Sequence, residues 1–102
     1  MAKTFAEKLM SLKAGKDVSA GAIVSVEPDY VLSHDNAAAI SNTFKKIGVK
    51  NVKHPDRVVI ILDHEVTAPK ESSATNHKEI RAFVEEQGIA NFYDVNHGIC
   101  HQ

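Results

Sequence analysis

Apolar residues recur at Phe5, Leu9 and Leu12, a three-to-four residue spacing that gathers them on one side of a helix. Thr4 and Glu7 supply a capping box at its start and Gly15 a left-handed stop, so the first helix is predicted over residues 4–14. Ala22-Ile23-Val24-Ser25-Val26 reads as a short strand entering Pro28, and Tyr30-Val31-Leu32-Ser33 as a second extended run. Helical spacing returns at Ile40, Phe44 and Ile47, with Asp35 or Asn36 as the cap at one end and Gly48 at the other. Val58-Val59-Ile60-Ile61-Leu62 is unbroken and mostly β-branched, the pattern of a parallel strand covered on both faces. A third helix is expected from Ser73, with Ile80, Phe83 and Val84 as its apolar face and Gly88 as its end, followed by a strand over 91–95.

Strands and helices alternate, and the last strand, helix and strand form a βαβ unit whose crossover should be right-handed. The class is α/β, with a mostly parallel sheet flanked by helices. At 102 residues the whole chain, 1–102, is expected to be a single domain with a modest core. The formal net charge is -1 and neither Lys nor Arg forms a run, which argues against nucleic acid or an anionic membrane as partner. No apolar stretch reaches the ~20 residues of a membrane span, and no secretory leader pattern opens the chain, so a cytoplasmic protein is expected. The single cysteine, Cys100, suits a reducing compartment and is too few for an iron–sulfur site, which takes three or four thiolates.

Ligands of open parallel sheets collect beyond the carboxyl ends of the strands, and three polar groups fall there. They are Ser33-His34-Asp35-Asn36, Asp63-His64 and His97 to Gln102. A histidine beside a carboxylate can act as a general acid. A plainer reading has Asp63 accepting backbone hydrogen bonds in its loop and His64 capping the strand. Asp35 is adequately explained as a helix cap, and His101 as a frayed residue near the end of the chain. Cys100 reads as a small packing residue, since adjacent side chains such as Cys100 and His101 seldom converge on one metal. His54 and His77 read as solvated, the latter on the polar face of the third helix, while His97 is a candidate to join the terminal cluster. No pair of histidines reads as the helical i, i+4 or short-loop pair of a zinc site with supporting cysteines, so no dedicated metal site is expected in this chain.

Several segments, in order, resemble the aconitase superfamily. They are Thr4-Phe5-Ala6-Glu7-Lys8, Val31-Leu32-Ser33-His34-Asp35-Asn36, Ile61-Leu62-Asp63-His64, Asn76-His77-Lys78 and Gly98-Ile99-Cys100-His101-Gln102, the last preceded by Asn91-Phe92-Tyr93-Asp94-Val95. The resemblance is to the first segment of the large subunit of 3-isopropylmalate dehydratase and its homoaconitase and dimethylmalate dehydratase relatives. It implies a three-layer, aconitase-like N-terminal fold and a hydro-lyase that moves a hydroxyl between adjacent carbons of a hydroxy di- or tricarboxylic acid, foremost isopropylmalate in leucine biosynthesis. It further implies a 4Fe-4S cluster whose cysteines lie outside this chain, the remainder of the large subunit as partner, and a small swivelling subunit that supplies the base.

By that resemblance Asp63, His64 and His101 are catalytic: the first two help to protonate the departing hydroxyl, and His101 orients or relays. Asn36 is a candidate substrate contact, left in doubt by Ala37-Ala38-Ala39, where relatives vary. The polar motif so near the chain's end suggests a piece of an enzyme, inactive alone. The alternative is a stand-alone α/β module for binding or assembly, without activity.

Overall fold

The computed structural model describes residues 2–102. Helix α1 spans Phe5–Ala14 and carries the expected capping box: the Thr4 hydroxyl accepts from the Glu7 N–H at 3.2 Å, and Glu7 accepts from the Thr4 N–H at 2.9 Å. Gly15, with φ 66°, closes it. The remaining elements are β1 (Val31–Ser33), α2 (Ala37–Ile47), β2 (Val58–Ile61), α3 (Glu71–Gln87) and β3 (Asn91–Tyr93), with a 3-10 turn over Pro55–Arg57.

The three strands form a parallel sheet in the order β1-β2-β3, so the fold is α/β as expected. Register pairs Ser33 with Ile60 and Ile61 with Tyr93, so the carboxyl ends of all three strands reach one edge. Consecutive parallel strands joined by right-handed crossovers place both connecting helices on the same face of the sheet. There Ile60 and Leu62 meet Ala37, Ala38, Ile80, Phe83, Val84 and Ile89 in one core, with the Phe44 and Phe83 rings edge to face at 5.9 Å. Alternation turns Leu32, Val59, Ile61 and Tyr93 to the opposite face.

The predicted strand over 22–26 does not form. Residues 22–27 are irregular and Ile23 is 98% exposed, because the β-branched run has no neighbouring strand to pair with. Instead, residues 18–24 fold back along α1, where the Val18 N–H donates to the Ser11 hydroxyl at 2.9 Å and the Ala20 N–H to Glu7 at 3.1 Å. None of α1 is buried. At the far end of α3 the Gln87 amide is buried, accepting from the Val52 N–H at 2.7 Å and donating to the Lys50 carbonyl at 3.0 Å. This satisfied amide fixes the loop before β2 to the helix.

Candidate functional site

The carboxyl edge is organised around a buried carboxylate. Asp35 follows β1; its Oδ1 accepts from the N–H groups of Asp63 (3.1 Å) and His64 (2.8 Å), and its Oδ2 from the N–H of Glu65 (3.1 Å) and from His77 Nε2 (2.7 Å). Burial pushes its carboxyl up, but these four donors outweigh that effect and hold it at about 2. The expectation that Asp35 caps α2 is therefore corrected. The N-cap is Asn36, without a side-chain cap bond, and Asp35 instead ties the loop after β2 to α3.

His77 is corrected with it. It is 3% exposed rather than solvated, because Ser73, His77, Ile80, Val84 and Gln87 form one buried stripe at helical spacing. The signal was present in that spacing, but a histidine's polarity favoured the solvated reading.

From this support Asp63 and His64 leave the end of β2. Asp63 Oδ1 lies 2.6 Å from His64 Nδ1, and its Oδ2 accepts from the Cys100 N–H at 2.6 Å. The Cys100 N–H is the main reason that the Asp63 carboxyl sits below its ordinary range; burial opposes it and His64 adds to it. The plainer reading of Asp63 thus also holds: it accepts a loop N–H. Because its other oxygen engages Nδ1, the imidazole presents Nε2 outward.

His64 Nε2 lies 3.3 Å from His101 Nε2, and the two rings meet at 64°. His101 is exposed but is not a detached residue at a frayed end. The Cys100 sulfur approaches His64 Nδ1 at 3.9 Å, so Cys100 and His101 both lie against the His64 imidazole. Burial pushes the Cys100 thiol up, and the adjacent Asp63 carboxylate adds to this.

The terminal loop can approach because residue 98 is glycine. A Cβ there would stand 3.1 Å from the Tyr93 Cβ and 3.4 Å from Ile61 Cγ2. Gly98 and Ile99, with Leu62, Asp63, Val66 and Asn96, line a shallow cleft beside the pair.

His34 was missed as a site residue by sequence reasoning. Its ring stacks on His64 at 3.9 Å and 17°, and its buried Nδ1 has no hydrogen-bond partner among the described residues. Asn36 sits in the same loop, exposed, with its side-chain oxygen accepting from the Ser33 hydroxyl (3.1 Å) and the His34 N–H (3.3 Å). That leaves its amide N–H groups for a ligand. His97 lies in the turn where its N–H donates to the Asp94 carbonyl at 2.9 Å, and no hydrogen bond joins its ring to the cluster among the described residues. His54 lies instead by Glu27 and the Pro55–Arg57 turn, away from the edge.

No family model matches the chain. Individual relatives do. It is 45% identical over 103 residues to 3-isopropylmalate dehydratase large subunit 1 of Methanopyrus kandleri, a match covering all of this chain and 25% of that protein. It is 45% identical over 104 residues to the probable 3-isopropylmalate dehydratase large subunit of Methanothermobacter thermautotrophicus, again all of the chain and 25% of the relative. The mitochondrial homoaconitase of Candida glabrata is 36% identical over 93 residues, 91% of this chain and 13% of that one. The chain thus spans about a quarter of the length of the dehydratase relatives. With the α/β fold and the Asp-His pair at its sheet edge, the chain belongs to the family of 3-isopropylmalate dehydratase and homoaconitase large subunits, as an N-terminal segment of it.

Proposed function

We propose that this segment supplies the proton-handling edge of a hydro-lyase that dehydrates or isomerises a hydroxy acid, isopropylmalate in leucine biosynthesis being the substrate favoured by the relatives' names. The observation that carries the reading is the hydrogen-bonded series Asp63, His64, His101 at the carboxyl edge of a parallel sheet. Asp63 fixes the His64 ring so that Nε2 faces the edge. In the imidazolium form the Nε2–H can donate its proton to a departing hydroxyl, which leaves as water, and His101 can then pass a fresh proton to the emptied Nε2. His34, stacked on His64, holds the ring plane. Asn36 is the proposed substrate contact, through its free amide N–H groups.

A 4Fe-4S cluster belongs to the whole large subunit in this reading. The residues here do not fit one: there is a single thiol where a cluster takes three or four. What this chain contributes is hydrogen bonding and proton transfer. The remainder of the large subunit and a small swivelling subunit are the proposed partners, and a cytoplasmic setting is supported by the unpaired cysteine. No helix is long and apolar enough to cross a membrane among the described residues. The module reading is disfavoured by the assembled edge, which a scaffold would not require.

The test is made in the complete enzyme with its cluster loaded. His64→Ala and Asp63→Asn should each lower kcat by roughly 10²-fold or more with cluster content unchanged. His54→Ala is the control. Turnover of His64→Ala within a few-fold of the control would remove His64 from the acid's role.

A further inference from the structure

We infer that His64, Cys100 and His101 form a binding site for one borderline-soft divalent cation, Zn2+ foremost. One ligand atom from each of the three lies within 4.8 Å of the others. More specifically, the two Nε2 atoms are 3.3 Å apart. Two imidazole nitrogens bound at about 2.05 Å to a tetrahedral zinc ion stand about 3.3 Å from one another, so the observed separation is the one that a shared ion requires.

The surroundings match what a metal-bound histidine requires. Asp63 engages Nδ1 of His64 at 2.6 Å, the carboxylate–histidine arrangement that fixes the tautomer and strengthens Nε2 as a ligand. Asp63 is itself held by the Cys100 N–H, so the carboxylate, the first imidazole and the cysteine are positioned as one unit. The Asp35 and Asp63 carboxylates beside the ring favour a cation electrostatically. Loading displaces the thiol proton from Cys100 Sγ, and the sulfur donates as thiolate. Two nitrogens and one sulfur leave the fourth tetrahedral position for water or a carboxylate ligand.

The neighbouring group of His34, Asp35 and His64 does not compete for the ion. Both Asp35 oxygens are already taken by three backbone N–H groups and His77. Binding uses the Nε2 atom assigned above to proton transfer, so occupancy would block that role if that reading holds. The site itself does not depend on it.

Co2+ is the probe, titrated anaerobically into this chain, because its spectrum reports both geometry and sulfur ligation. The expected result is one ion per chain, with a visible band of tetrahedral intensity and a near-ultraviolet thiolate-to-cobalt band, both abolished by stoichiometric Zn2+. Cys100→Ser should lose the charge-transfer band, and His101→Ala should weaken binding at least tenfold, with far-ultraviolet circular dichroism unchanged in each. His54→Ala and His97→Ala should bind as the parent does. Absence of binding, an octahedral spectrum without the sulfur band, or affinity indifferent to both Cys100→Ser and His101→Ala would overturn the site, whatever the enzyme's activity shows.

Discussion

Asp35 and His77 bury each other at 2.7 Å, and a carboxylate so placed makes stability depend on pH. Its folded value of about 2 lies below the ordinary value of 3.8. A depressed carboxylate contributes stability that is present above its unfolded pKa and lost as pH falls through the folded one. The window is therefore pH 4 down to about 2, and the linked loss is on the order of 2 kcal/mol. Urea melts at pH 5 and pH 2.5 should show this loss in the parent and a smaller one in Asp35→Asn, whose remaining pH dependence comes from the other lowered carboxyls, Glu7, Asp29, Asp63 and Asp94. Equal losses would mean that Asp35 titrates normally. His77→Ala strips one donor from the buried carboxylate and should cost about 1–3 kcal/mol. A thermal melt that matches the parent would contradict that. The helical spacing of α3 signalled the burial of His77, but its pairing with Asp35 was not legible from the sequence. The Asp35 contacts join residues 28 to 42 positions apart, and they exist only because the register of β1 on β2 brings the two strand ends level.

At the scale of elements, periodicity was sufficient wherever a segment buries a face against a neighbour. α2, β2 and α3 lie where apolar spacing and the glycines Gly48 and Gly88 put them, both glycines in the left-handed region. The failure at residues 22–26 marks the boundary of that inference, since strand composition acts only when another strand is present to pair. β2 is the test of the rest. Ile60 is 2% exposed on the helix-facing side, and Ile60→Asp would bury an unpaired charge at a cost of several kcal/mol, comparable to a small domain's whole stability. No cooperative melt is expected. A transition within a few degrees of the parent would show that β2 is not central. The site's convergence rests on another element-scale fact that the sequence recorded only as a residue type. Gly98 lets the terminal loop lie on Tyr93 and Ile61, so the polar groups after β2 and β3 can touch. Motif matching named His64 and His101 separately, whereas only the fold shows them bonded.

The molecule as a whole is extended, 53 × 31 × 23 Å, with a radius of gyration of 16.7 Å against the roughly 13 Å of a compact 100-residue domain. The excess comes from the α1 arm, where Phe5 is 80% exposed, and from a sheet with helices on one face. On the β1 side, Val31, Leu32, Ile40 and Phe44 line an apolar groove open to solvent. Apolar surface of this kind marks interaction sites. About three quarters of the length of these relatives lies outside the match, and under the proposed function the occupant of the groove is the remainder of the large subunit, laid along β1. Leu32 and Ile40 are each about half exposed, so charging them costs this chain little by itself: the double variant Leu32→Lys, Ile40→Lys should melt within about 1 kcal/mol of the parent. Co-expressed with the remaining three quarters of a dehydratase large subunit as a separate tagged chain, the parent should co-purify with it and the double variant should not. Co-purification of both in equal yield would place the contact elsewhere on the molecule. Failure of the parent itself to associate would mean that the groove does not join the two parts of a large subunit.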